Sequence, residues 1–475
     1  MTKTNYRTPV LFFCLIVCIV FLLPQCQSTE PIPQFSTEEA WFKANCSSCH
    51  GEQMQAFVDR RWKFGNSREE LFKSIKFGND SLGMPSWDSL FTDKQIDSLV
   101  TYIQYGIDNM DKYKFQEAAI TPDTFQTDGF SFYLDTIFTG SQVLWGMAFL
   151  PGNEMLITSI DGIIYHVDKN RLSREVEGVP AVKAEGQGGL LDIELHPDFV
   201  NNNLIYISYA AFKEKDGATL TTTVVDRAVF SNNKLTEVTR IFEALPYLPT
   251  RHHYGSRLEF DNQGYLFISV GDRGRRDDNP QYLNNHCGKI HRVHDDGRIP
   301  TDNPFVDNEE ALPSIYAFGV RNPQGMVKHP VTGKIWEHEH GPRGGDEINI
   351  IRAGSNYGWP EVSYGINYDG TTYTNVLERA DVDPPLLYWV PSIAPSGMDF
   401  IRSDLYPGWK NQLLVGSLRF KYLNLCKLDG EKVVREQTLL KNIGRVRDVK
   451  TGPDGYIYVS VEDPGRIFRL VPLEK

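Results

Sequence analysis

Two cysteines separated by two residues and followed at once by a histidine occur at Cys46-Ser47-Ser48-Cys49-His50. That spacing is the attachment signature of a c-type haem. The thiols form thioethers to the porphyrin vinyl groups, and the adjacent imidazole is held beneath the ring, where it can ligate iron. A sixth ligand should follow downstream, and Gly83-Met84-Pro85 offers a thioether on a loop that glycine and proline keep extended. Methionine opposite histidine raises the reduction potential and closes the iron to substrates, which suits electron transfer rather than oxygen chemistry. Met54 is a rival thioether, but it follows His50 too closely to reach the opposite face. The bland alternative is a free dithiol at Cys46 and Cys49, with Met84 as ordinary core.

A second set of reactive residues lies far downstream, in short polar clusters rich in glycine. They are Gly186-Gln187-Gly188-Gly189, His252-His253-Tyr254-Gly255, Gly271-Asp272-Arg273-Gly274, Arg321-Asn322-Pro323-Gln324 and the run from Glu339 to Glu347, with Arg419, Arg445 and Arg447. Glycine beside a polar side chain suits close approach of backbone to a ligand. Several arginines without paired local acids point to an anion with several carboxylates, because guanidinium matches carboxylate bidentately. His338 and His340 also invite a transition-metal reading, which their oxygen-donor neighbours disfavour.

Elements that could gather these clusters come from a loose repeat. A turn such as Pro-Asp-Gly followed by a strand of alternating apolar residues occurs at Leu150–Thr158, His196–Ile207, Asp261–Ser269, His329–Trp336, Gly408–Ser417 and Gly452–Ser460. Copies about 45 to 75 residues apart fit four-stranded blades, so an all-β six-bladed β-propeller is expected over 129–475. Arg466–Val471 should pair with Phe130–Leu134 to close the ring. A propeller brings its inter-blade loops together at one end of a central channel, where clusters distant in sequence can meet.

The haem motif sits in a different setting. Ser36 and Thr37 with Glu38 and Glu39 read as a helix start. Leu90, Ile96, Leu99 and Ile103 then recur at mostly helical spacing. With the Cys-x-x-Cys-His motif, residues 36–112 resemble the small all-α class I cytochromes c, in which the last helix packs across the first. A linker is expected over 113–128.

Lys3 and Arg7 precede an apolar run from Val10 to Leu23, too short for a span of about twenty residues and typical of a signal h-region. Residues 1–28 therefore read as a signal for export to the periplasm, where bacterial c-type haem is attached. Cys26 could carry a lipid anchor, although Gln25 stands where a small residue is expected; cleavage after Ser28 and a retained anchor are the alternatives. The chain of 475 residues carries 49 Lys plus Arg against 61 Asp plus Glu, a net charge of −12. No basic patch suits nucleic acid. Of seven cysteines, Cys287 and Cys426 are left outside the signal and haem regions. They read as one disulfide or as two buried thiols.

From about 130 to 471 the chain resembles the pyrroloquinoline quinone (PQQ) sugar dehydrogenases of the glucose/sorbosone dehydrogenase family, and most closely the aldose sugar dehydrogenases. The resemblance rests on Gly186–Leu191 with His196–Phe199, His253–Leu258 leading to Gly271-Asp272, Gly288–Ile290 with Asp296-Gly297 and Asp302–Phe305, Arg321–Gly325, and Glu339–Asn349 running into Gly354–Pro360. It implies that His253 is the general base for the anomeric hydroxyl of an aldose, with Asp272 as its orienting carboxylate. It places Gln187 near sugar and cofactor, Arg321 and Asn322 on the quinone oxygens, and Arg419, Arg445 and Arg447 on the PQQ carboxylates. The Gly341 and Pro342 carbonyls become ligands of calcium, a cation that prefers oxygen. His252 replaces an acid that some relatives carry. With a haem attached, electrons would pass on singly to a downstream one-electron acceptor. The competing readings are a propeller that binds a ligand or partner without catalysis, and a haem-propeller oxidoreductase of inorganic substrates, for which a second haem or copper ligand set is missing from the sequence.

The reading of Met84 as sixth ligand makes Met84→Ala a direct test. The substitution should abolish the weak sulfur-to-iron absorption band at the red end of the oxidised spectrum, and persistence of that band would assign the sixth position to another residue.

Overall fold

The computed structural model describes residues 35–46, 65–78, 86–108, 124–140, 143–367, 371–462 and 464–473. Cys49, His50 and Met84, like the whole of the signal region, lie outside them.

Among the described residues the N-terminal module contains the helices α1 (Ser36–Asn45), α2 (Arg68–Phe77) and α3 (Asp93–Asp108). Their apolar faces share one core built around Phe42, Leu71, Ile75, Phe91, Ile96, Leu99 and Ile103. Phe35 and Phe42 of the first helical segment meet Tyr102 of α3 edge to face or tilted, so the last helix does lie against the first. Two expectations need correction. The α1 N-cap is Phe35, with no side-chain cap, so Ser36 and Thr37 fall inside the helix. Leu90 precedes α3 and is exposed, because the α3 cap is the Thr92–Gln95 pair, which closes the first turn on both sides.

Beyond residue 124 the chain is six antiparallel sheets. Blade 1 covers 144–175, blade 2 190–243, blade 3 258–318, blade 4 323–389 and blade 5 395–439. Blade 6 joins 446–472 to the strand Ser131–Thr139, with Tyr133 opposite Val471 and Leu134 opposite Leu470, which closes the ring as expected. Phe125–Gln126 adds a short fifth strand to that blade, so the end of the anticipated linker is already sheet. Six apolar clusters fill the six spaces between neighbouring blades. Inner strands such as Leu266–Val270, Ile335–Glu339 and Ile457–Val461 are buried at every residue, because neighbouring blades cover both of their faces.

Each repeat in the sequence is the hairpin between the first and second strands of a blade. In four blades a polar residue near the end of the second strand reaches a carbonyl of the next blade, whereas Ser417 of blade 5 bonds the Ile393 carbonyl ahead of its own first strand at 2.8 Å. Thr158 of blade 1 bonds the Leu191 carbonyl of blade 2, Ser208 of blade 2 the Ser256 carbonyl at 2.6 Å, and Ser460 of blade 6 the Leu144 carbonyl of blade 1 at 2.8 Å. His338 holds the same place in blade 4, and its Nε2 meets the Ser396 carbonyl of blade 5. That explains the histidine without a metal. Cys287 and Cys426 are separate buried thiols in blades 3 and 5, so the disulfide alternative is set aside.

The axis of the ring is held by charge. Arg257, 3% exposed, places Nη1 3.2 Å from both Asp192 of blade 2 and Asp448 of blade 6. Its Nε donates to the Gln324 carbonyl of blade 4 at 2.7 Å, and its plane lies 4.1 Å from the Trp145 ring of blade 1. Removing one partner of a buried ionic group costs far more than the pair contributes. Arg257→Ala should lower unfolding stability by about 3–5 kcal/mol in a urea titration, and the triple change Arg257→Met, Asp192→Asn, Asp448→Asn should restore most of it.

Candidate active site at the propeller mouth

The hairpins carrying the repeat lie at one end of the ring, and the start of each first strand and the end of each second strand lie at the other. Gln187, His253, Arg321 and Arg445 all precede first strands, whereas Asp272, Gly341, Arg419 and Glu462 all follow second strands. Antiparallel pairing therefore brings every one of these residues to the same end. In five blades a register shift interrupts the first strand near this end, turning the chain into the loop that bears the polar group.

His253 stands at the centre. Its Nδ1 lies 2.6 Å from Asp272 Oδ1, and its backbone N–H donates to Gln187 Oε1 at 2.8 Å. The Gln187 backbone N–H in turn donates to the Arg251 carbonyl at 2.8 Å. His253 has φ +57°, a conformation that side chains adopt only where the surroundings impose it. Burial, reinforced by the Arg321 guanidinium, pushes the imidazole down to about 4 against the pull of Asp272. The ring is thus neutral, with the proton on Nδ1 and Nε2 bare. Burial alone would raise the Asp272 carboxyl, but His253, Arg321 and the Gly274 N–H outweigh it and keep the group below the ordinary range. Trp359 Nε1 donates to Asp272 Oδ2 at 2.9 Å.

Around this dyad sit the cations. Arg321 Nη1 donates to the His340 and Gly341 carbonyls at 2.9 and 3.0 Å. Asn322 Oδ1 accepts from the Gly255 N–H at 3.2 Å. His340 Nε2 meets the Pro395 carbonyl, and burial, with the charge of Arg321 next among the depressing causes, brings its imidazole down to about 3. Arg419 Nη1 lies 3.4 Å from the Ser392 carbonyl. Arg445 and Arg447 each place Nε 2.7 Å from opposite oxygens of Glu462. The arginines expected to lack acids therefore share one, supplied from the next strand and too distant in sequence to be seen. One carboxylate between two guanidiniums leaves a surplus positive charge.

Two of the glycines serve the packing of the loops. A side chain at Gly186 would strike the Arg251 carbonyl at 2.4 Å, and one at Gly271 the His253 carbonyl at 2.3 Å. At these two positions glycine lets one loop approach another. Among the described residues no group of three metal-binding side chains is found, and the Nε2 atoms of His338 and His340 each meet a carbonyl. Sequence reasoning missed Trp359 and Glu462. For Trp359 the signal present was its place in the glycine-rich run 354–360.

A protein-family model described as Glucose / Sorbosone dehydrogenase matches residues 141–469. A second, described as Cytochrome C oxidase, cbb3-type, subunit III, matches residues 33–103. The Aldose sugar dehydrogenase YliI of Escherichia coli (strain K12) is 42% identical over 334 residues, covering 69% of this chain and 90% of the relative. Quinoprotein glucose dehydrogenase B of Acinetobacter calcoaceticus is 28% identical over 440 residues, covering 74% and 90%. The crystal structure of the soluble aldose sugar dehydrogenase from Escherichia coli in the apo-form superposes with a TM-score of 0.69 at 39% identity, over 72% of this chain and all of that one.

The electrostatics of the dyad can be checked in cofactor-free protein. A histidine NMR titration should find His253 protonating near pH 4. Arg321→Gln removes a repelling cation and should move that midpoint upward, while Asp272→Asn removes the stabilising anion and should move it downward.

Proposed function

Because the chain belongs to the glucose/sorbosone dehydrogenase family, we propose that it is a periplasmic sugar dehydrogenase that oxidises an aldose at the anomeric carbon to the lactone. Its electrons would leave through a covalent haem c on the N-terminal module that the cytochrome family model matches. The observation that carries the reading is the buried His253–Asp272 pair, with Nε2 bare at the mouth of the ring.

His253 Nε2 takes the proton of the anomeric hydroxyl, and Asp272, 2.6 Å from Nδ1, stabilises the imidazolium that forms. The Gln187 carbonyl oxygen is engaged by the His253 backbone, so its amide N–H₂ is the end left for sugar or cofactor. Bound pyrroloquinoline quinone supplies a hydride acceptor, and haem c held by Cys46, Cys49, His50 and Met84 supplies a one-electron acceptor. The site suits an anion with several carboxylates. Arg445 and Arg447 carry surplus charge beyond Glu462, Arg419 adds a third guanidinium, and Arg321 and Asn322 would hold the quinone oxygens. The backbone carbonyls of Gly341 and Pro342 would be oxygen donors for a hard ion such as calcium, with the Gly341 carbonyl, which accepts from Arg321 at 3.0 Å here, turning to the ion. Residues 1–28 would direct export, with Cys26 as a lipid anchor and a one-electron carrier downstream.

Stopped-flow mixing of the holoenzyme with an aldose should show haem reduction at a rate independent of protein concentration. Cys49→Ser protein without haem should still oxidise sugar with a dye acceptor, whereas His253→Ala should lose about two to four orders of magnitude in turnover while retaining PQQ. A rate that falls in proportion on dilution would make the transfer intermolecular, and dye-linked turnover of His253→Ala near wild type would remove the base.

A further inference from the structure

We propose that Trp359 is a positioning residue for the base, fixing the Asp272 carboxylate through its indole N–H so that one oxygen alone is offered to His253. This rests on the reading of His253 as the base. An indole has a single donor and no acceptor, so a buried tryptophan N–H has one use to make of it. Trp359 is 6% exposed and gives its proton to Asp272 Oδ2 at 2.9 Å. The other oxygen of the same carboxylate faces His253 Nδ1 at 2.6 Å and the Gly274 N–H at 2.7 Å. The division of labour is complete: Oδ2 is held from blade 4, and Oδ1 serves the loops of blade 3.

The indole is itself held rigidly. The Trp359 backbone N–H donates to the Gly319 carbonyl at 2.8 Å, and its carbonyl accepts from Gln281 Nε2 at 2.8 Å. Tyr373 packs edge-on with ring centres 5.3 Å apart, and its hydroxyl is tied to Ser363 at 2.7 Å. The Arg321 guanidinium lies over the indole, 5.3 Å from the ring centre. One side chain thus sets both the carboxylate behind the base and the cation beside it. Without the indole N–H on Oδ2, Asp272 could pivot about its side-chain bonds and turn its carboxylate away from Nδ1. His253 would then no longer be confined to the tautomer that leaves Nε2 bare.

The test uses full-length protein with nitrogen-15 histidine, first without PQQ. At neutral pH a long-range proton–nitrogen spectrum of the unsubstituted protein should show His253 as a single Nδ1–H tautomer, its signal assigned by its loss in His253→Gln. Trp359→Phe, which keeps a ring but removes the donor, should give a mixture of tautomers. In the PQQ-loaded enzyme its kcat should fall about 10- to 100-fold, the range for removing a partner that orients a functional imidazole, with KM unchanged. The same loss should vanish in an Asp272→Asn background. A benzothienylalanine at 359, which replaces the N–H by sulfur and keeps the indole shape, should reproduce the tautomer mixture if Trp359→Phe misfolds. An unchanged single tautomer in a folded variant lacking the N–H would overturn the proposal. Normal aldose oxidation by His253→Gln would instead defeat the reading of the base, while the spectrum would still decide what Trp359 does.

Discussion

A ring of six sheets has one place where all its first strands converge, and there Arg257 supplies what backbone pairing cannot. Its guanidinium answers to Asp192, Asp448 and the Gln324 carbonyl while lying on Trp145, so blades 1, 2, 4 and 6 are all referred to one side chain of blade 3. A buried cation tolerates this site only because its donors are matched on several sides. Arg257 lies four residues after His253, and its Nη2 reaches the carbonyl of Arg447 at 3.4 Å. The packing of the axis and the placing of the mouth are therefore one problem, solved by the same short segment.

The two ends of the ring carry different burdens. At the repeat end, turns close hairpins and can vary. At the other end, chain leaving one blade must enter the next, and the hydroxyls of Thr158, Ser208 and Ser460 stitch the blades just below that crossing. This makes a rigid rim beneath loops that would otherwise wander. Burial behind the rim then does the electrostatic tuning. It depresses His253 and His340, and it forces every nearby charge to find a partner.

What could be read in the sequence was whatever is local or periodic. The turn-and-strand repeat is legible because each copy is a contiguous hairpin, and the closing strand because its alternation is intact. His253, Asp272, Arg321 and Arg445 stand out because each lies within two residues of a glycine that loops crossing at close range require. The helix α2 carried a readable signal, Ser67 three residues before Glu70, and the capping box it predicts is present. Partners separated by long stretches of chain were not legible. Glu462 meets Arg445 and Arg447 only once blade 6 forms, and Trp359 meets Asp272 across 87 positions. No spacing rule links such residues; only the geometry of the ring does.

An imidazole as weak as that of His253 is by itself ill suited to the proposed role of taking a proton from a sugar hydroxyl, and the source of its weakness resolves the difficulty. Burial comes first and the Arg321 charge second, whereas Asp272 already pulls the other way. Burial is permanent, but the Arg321 charge is not fixed in its effect. An anionic ligand drawn to Arg321 cancels the repulsion it exerts on an imidazolium, and the full attraction of Asp272 then acts on His253. The base gains strength as the site fills. In the empty cleft the imidazole is neutral at neutral pH and keeps Nδ1 on Asp272, the arrangement that the proposed base requires.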